Sequence, residues 1–154
     1  MSIEDAEDND AGHWTQEAFT FCSMLPKIEL HAHLNGSVRD ETIRQLVHEK
    51  QLKTVTDADV ENITSKRHRT LADCFRLFDI IHACTTDLPS ITRITREVVH
   101  DFCAERVVYL ELRTTPKARP EHGVTKDGYV RAVLAGMREG TQQECNGNRI
   151  RVRL

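Results

Sequence analysis

Two histidines one residue apart, His31 and His33 in "ELHAHLNGS", interrupt a short apolar run. On a β-strand, side chains at i and i+2 leave the same face. Two imidazole nitrogens placed so can meet one metal ion, typically Zn²⁺ at about 2.0–2.1 Å. A pair of buried, hydrogen-bonded histidines would look the same in sequence. Asn35 follows on that face, and Gly36-Ser37 closes the run. Further on, "LRTTPK" gathers Thr114, Thr115, Pro116 and Lys117 behind Arg113. Hydroxyls and a lysine at a strand end suit phosphate, although a polar strand end with no ligand has the same composition. His82 shares a helical stripe with Leu71, Phe75 and Phe78, so it is either a core residue or a ligand contact. His48, His68, His100 and His122 have no comparable setting and are assigned no role.

The elements that must position these groups are legible from hydrophobic period and punctuation. A short helix is predicted over Trp14 to Met24, ended by Pro26. "KIELHAHLN" reads as a strand, and "RDETIRQLVHEK" as a helix with Ile43, Leu46 and Val47 on one face. Gln51 to Arg69 is polar and largely aperiodic, a surface excursion. "TLAD" places Thr70 as an N-cap with Asp73 at the third position, in the manner of a capping box. A further helix runs from about Pro89 to Ala104, with Ile91, Ile94, Val98 and Phe102 at helical spacing. "VVYLELRTTP" is a second strand, stopped by Pro116. "TKDGYVRAVLAGMREG" is a helix capped by Thr125 and weakened by Gly128. "NRIRVRL" begins a third strand.

Strands separated by helices predict an α/β protein with parallel pairing. Central parallel strands are usually continuous Val/Ile/Leu runs, and these are not. In the first, Ile28, Leu30, Ala32 and Leu34 share one face, with Glu29, His31, His33 and Asn35 on the other. In the second, Val108, Leu110 and Leu112 oppose Glu111, Arg113 and Thr115. A half-exposed sheet would alternate in this way, but helices between strands normally cover both faces. A closed barrel reconciles the two, with helices outside and a polar mouth at the C-terminal ends of the strands, where TIM-barrel sites lie. Arg113 is expected to play a structural part by pairing with Glu111.

Composition limits the partners. The chain has 154 residues, 39% of them apolar and 29% charged, and a net charge of −3. These values suit one globular domain and supply no basic field for nucleic acid. No run approaches the roughly 18 apolar residues of a membrane span. Residues 1–13 read as a disordered acidic leader, unlike a secretory signal, ahead of a domain over 14–154. Five scattered cysteines with no C-x-x-C pair argue for reduced thiols and the cytosol, with Cys74 and Cys103 as small core hydrophobes.

At this point the motifs match a family. "LPKIELHAHLNGS" resembles the opening barrel strand of the adenosine deaminase superfamily, P-K-x-E-L-H-x-H-L-x-G. "KRHRTLADCFRLFDIIH" and "VVYLELRTTPK" resemble its adenosine deaminase-like branch, whose members deaminate N6-methyl-AMP. Asn35 favours that branch, because nucleoside-type deaminases usually carry Asp there. The likeness covers nearly everything from Leu25 to Leu154.

The resemblance implies the N-terminal part of a (β/α)8 TIM barrel, with extra helices between strands 1 and 2 and a third strand begun. It implies zinc held by His31 and His33, and a purine nucleoside monophosphate contacted by His33, Asn35, His82, Thr114, Thr115, Pro116 and Lys117. A carboxylate at position 35 would repel a 5′-phosphate across a partly dry gap, whereas Asn can donate to it. The implied reaction is zinc-assisted hydrolysis at purine C6 to give IMP, by a protein that is monomeric when complete. The H-x-E and P-C-x-x-C signature of the cytidine-type deaminases is absent. The family's third histidine ligand, catalytic Glu and metal-binding Asp are expected beyond Leu154, so these 154 residues are expected to be inactive alone. Two other readings are another amidohydrolase-type metal hydrolase and a truncated, non-catalytic isoform that acts as a binding partner.

Overall fold

The computed structural model describes residues 15–56, 58–59, 61 and 70–154. The acidic leader and most of the predicted excursion between Gln51 and Arg69 lie outside them, as do the side chains of Leu71 and Cys74. In chain order the described elements are α1 (Gln16–Met24), β1 (Lys27–His33), α2 (Asp40–Glu49), α3 (Leu71–Cys84), α4 (Leu88–Ala104), β2 (Val107–Arg113), α5 (Lys126–Thr141) and β3 (Arg151–Arg153). Short 3-10 turns follow β1 at Leu34–Gly36 and precede α5 at Pro120–His122. The sheet runs β1-β2-β3, parallel throughout. Among the described elements, α2, α3 and α4 cross between β1 and β2, and α5 between β2 and β3. This is the order expected of the first part of a (β/α)8 barrel.

Local chemistry explains where the helices begin. Thr70 accepts from the Asp73 amide while the Asp73 carboxylate takes the Thr70 N–H, so the predicted capping box is complete. Asp87 caps α4 through the Ser90 amide with Pro89 in its first turn, and Thr125 caps α5 through the Gly128 amide. Ile91, Ile94 and Val98 of α4 are buried against Val133, Met137 and the buried Leu110 and Leu112 of β2. Helices α4 and α5 approach closely because Gly136 and Gly140 face Thr95 and Val99 with no Cβ between them.

The start of β1 is fixed to the end of α4. Lys27 donates its amide to the Arg106 carbonyl (2.9 Å) and its Nζ to the Glu105 carbonyl (2.8 Å). A turn at Cys145–Asn148, with Asn146 and Gly147 at positive φ, sets up β3, and the Asn146 side chain donates to Ala104 O at 2.9 Å.

Four expectations need correction. The first strand ends at His33, and Asn35 sits in the 3-10 turn that follows, because the Ser37 amide turns back to Leu34 O. The second strand ends at Arg113, which leaves Thr114 to Pro116 outside the ladder. Ile28 and Leu30 are 65% and 60% exposed, unlike Ala32 and Leu34 on their predicted face. The register of β1 shifts between Glu29 and Ala32, and the main contacts of β1 are with β2 rather than with a helix. Phe75 is 63% exposed, so α3 buries Ile80, Ile81 and Cys84 instead of the stripe through Phe75. Among the described residues no helix is long and apolar enough to cross a membrane.

Candidate active site

The end of β1 brings the two predicted metal-binding imidazoles together. His31 Nε2 and His33 Nε2 are 3.1 Å apart, with ring centroids 5.0 Å apart and planes inclined by 41°. Two nitrogens at about 2.0–2.1 Å from one tetrahedral ion would be roughly 3.4 Å apart. The pair therefore fits two corners of such a site with little movement. The Glu29 carboxylate accepts the His31 amide at 2.8 Å, which ties down the backbone beneath. Across the strand pair, His33 is opposite Arg113. The Arg113 guanidinium does not meet Glu111 as expected but lies 2.9 Å from His31 Nε2 and 3.2 Å from His31 Nδ1. Glu111 instead accepts from the Tyr109 hydroxyl at 2.7 Å. The distance is short because the parallel register puts residues 33 and 113 side by side at the sheet end. Among the described residues no third His, Cys, Asp or Glu joins the pair.

Beyond His33 the chain turns through Leu34–Gly36, pinned by fully buried Leu34 and by the Ser37 hydroxyl donating to His33 O at 3.0 Å. This turn aims Asn35 inward, where its Oδ1 is buried without a hydrogen-bond partner. A buried acceptor in that condition carries an unrecovered desolvation cost of about 1–3 kcal/mol. It suits a ligand or water that donates.

A cavity of about 220 Å³ opens at this point, lined by His33, Asn35, Phe78, His82, Arg113, Thr114, Thr115 and Lys117. Six of the predicted substrate residues thus converge. Pro116 is half-buried and does not line the cavity, and His31 adjoins it through His33 and Arg113. A small pocket of about 10 Å³, room for roughly one water molecule, adjoins it between Asn35, His82, Lys117, Arg119 and Tyr129. Among the described residues no carboxylate lines either cavity.

The charges act on one another there. Burial holds the His82 imidazolium pKa below its usual value, and the nearby cations of Lys117 and Arg119 lower it further against an opposing pull from Asp79. His82 is therefore a cavity-wall residue, half-buried at the end of α3 rather than enclosed in the core. Thr114 is oriented by α5, since its hydroxyl is 2.6 Å from the Tyr129 hydroxyl. Burial raises the Tyr129 pKa, with a smaller opposing effect from Thr114.

Sequence reasoning missed Arg119, Tyr129, the siting of Phe78, and Thr85, which also walls the small pocket. Arg119 carried no signal, because β2 ends at Arg113 and no strand period extends past it. Tyr129 had none either, because its role depends on how α5 packs on α4 and meets Thr114.

The family model described as Adenosine deaminase matches residues 26–154. An N6-mAMP deaminase of Arabidopsis thaliana is 55% identical over 123 residues, covering 79% of this chain and 35% of that protein. The N6-Methyl-AMP deaminase of Homo sapiens is 39% identical over 126 residues, covering 82% and 35% respectively. A crystal structure of Arabidopsis ADAL complexed with IMP superimposes with a TM-score of 0.74 at 48% identity, covering 86% of this chain and 40% of that one. The chain thus spans about a third of the length of the curated relatives it matches. The matched residues include the histidine pair and the cavity walls, and the chain belongs to the adenosine deaminase family.

Proposed function

We propose that these residues form the N-terminal part of a hydrolytic deaminase acting on N6-methyl-AMP and related N6-substituted purine nucleoside monophosphates, with IMP as product. The observation that carries this reading is the junction at His33. A pair of imidazoles spaced for one metal ion opens directly into a cavity rimmed by Thr114, Thr115 and Lys117, with no carboxylate on its walls among the described residues. The names of the Arabidopsis and human relatives point the same way.

His31 and His33 would hold zinc, the Arg113 guanidinium moving off His31 Nε2 to make room. Bound zinc supplies Lewis acidity, which brings the pKa of a water ligand near 7. The remaining tasks fall to this chain's own groups. Asn35 offers its unpartnered Oδ1 to a ribose hydroxyl and its amide N–H to the sugar–phosphate end. Phe78 supplies an apolar wall that excludes water beside the base. Thr114 and Thr115 donate hydroxyls to the phosphoryl oxygens and Lys117 neutralises their charge. The further metal ligands and the general acid are assigned to residues outside these 154.

The test measures bound zinc by mass spectrometry and conversion of N6-methyl-AMP to IMP, with N6-methyladenosine and adenosine in parallel. We expect the 154-residue chain to hold zinc weakly, the H31A/H33A double variant to lose it, and no turnover from either. Unchanged zinc in the double variant would sink the metal assignment. Turnover by the 154 residues alone would show that no further catalytic group is needed.

A further inference from the structure

Arg119 stands outside every role assigned above, yet its backbone is among the more firmly held in the loops around the site. Its amide donates to Val124 O at 2.7 Å, and the Val124 amide returns a bond to Arg119 O at 2.9 Å. The chain between them closes through the turn Pro120–His122 and Gly123, whose φ of 70° suits glycine. Val124 is buried, which anchors the far side of the loop. The only recorded carboxylate contact of the Arg119 side chain among the described residues is Glu121 at 3.9 Å, at the limit of an ion pair. Its side chain is only one-third exposed, and the residue shares the small pocket's wall with Lys117, His82 and Asn35. Two cations and an imidazole therefore face a water-sized recess at the margin of the larger cavity, which Lys117, His82 and Asn35 also line, with no carboxylate on its walls among the described residues. Their electrostatic complement is an anion, and a planar guanidinium is shaped to grip one with two hydrogen bonds.

We infer that Arg119 is a specificity residue that, with Lys117, holds the phosphoryl group of the substrate and sets the preference for nucleotide over nucleoside. The inference rests on the nucleotide reading above and deepens it. Lys117 acts as a point charge, whereas Arg119, fixed by its loop, orients the group.

The test titrates the 154-residue chain with IMP, inosine and inorganic phosphate by amide NMR, in the wild type and in the R119Q, R119K, K117Q and R138Q variants. Arg138 is an exposed arginine on α5, remote from the cavity walls, and serves as the control. We expect IMP to bind the wild type at least tenfold more tightly than inosine. R119Q should lose about tenfold in IMP affinity, the scale of one charge-assisted pair, and leave inosine unchanged. R119K should fall between, and R138Q should match the wild type. An IMP-to-inosine ratio unchanged in R119Q but lost in K117Q would overturn the role of Arg119 while leaving the nucleotide reading intact. Failure of the wild type to bind either IMP or inosine would overturn both. Inorganic phosphate binding as tightly as IMP would mark a free-anion site and overturn the specificity assignment.

Discussion

Replacing Gly136 by alanine tests how the site is supported from behind. A Cβ at this position would lie 2.7 Å from Thr95 Cβ and 3.1 Å from the Arg96 amide nitrogen, and closer still to the Thr92 carbonyl oxygen. The first distance is about 0.7 Å inside ordinary van der Waals contact. Two of the three neighbours are α4 backbone, which cannot turn aside as a flexible side chain would. Alanine would gain up to about 1 kcal/mol in helix propensity over glycine. Overpacking of a tight interface costs typically 1–3 kcal/mol, and the backbone contacts place this case at the upper end. A net loss of about 1–2 kcal/mol is expected, which corresponds to roughly 2–8 °C in Tm for a chain of this size. Urea denaturation followed by circular dichroism measures the first quantity and a thermal scan the second. Stability equal to or above the wild type would refute the packing argument. It would mean that α4 and α5 separate freely.

Other substitutions examine the site more directly. Y129F removes the hydroxyl that orients Thr114 and should cost about 0.5–1.5 kcal/mol in urea denaturation, whereas no loss would show that Thr114 needs no support. His82 binds its proton less readily when folded than the unfolded value of 6.5. Between the two pKa values the unfolded chain holds more protons, so this residue makes stability rise with pH up to about 6.5 and weakens the fold below it. The slope of stability between about pH 5 and 7 should flatten in H82Q, and an unchanged slope would contradict the cavity-wall environment. Timed alkylation with peptide mass mapping should label exposed Cys22 well before Cys84, Cys103 and Cys145. Burial raises the thiols of Cys84 and Cys145 to about 11, and the neighbouring Cys103 adds to the effect on Cys145. Equal labelling rates would show that the core opens.

Much of this was legible because it depends on short-range chemistry. Thr70, Asp73 and Thr125 announce their helices by capping, which needs only a stretch of four residues. The His31–His33 pair follows from strand period alone, and the apolar spacing of Ile91, Ile94 and Val98 identifies the buried side of α4. What escaped depends on register and on packing between distant segments. Arg113 meets His31 instead of Glu111 because residues 33 and 113 are paired in the sheet, a fact of alignment that composition does not carry. Phe75 faces outward although its spacing puts it on an apolar stripe, since which stripe of α3 is covered depends on its neighbours. The loop from Arg119 to Val124 closes by main-chain bonds that no side-chain pattern reports, so its position at the cavity gave no sign in advance.

The pairing of Lys27 with Val107 has a consequence for synthesis. About 80 residues separate the two strands, so β1 leaves the ribosome long before its partner exists. At about 5–20 residues per second, that interval lasts roughly 4–16 s. Throughout it residues 27–33 have no partner, and the ladder that sets His33 opposite Arg113 does not yet exist. The histidine pair and the sheet that positions it are thus made in a fixed temporal order. Closing a loop of this length is the slow step expected for distant parallel pairing.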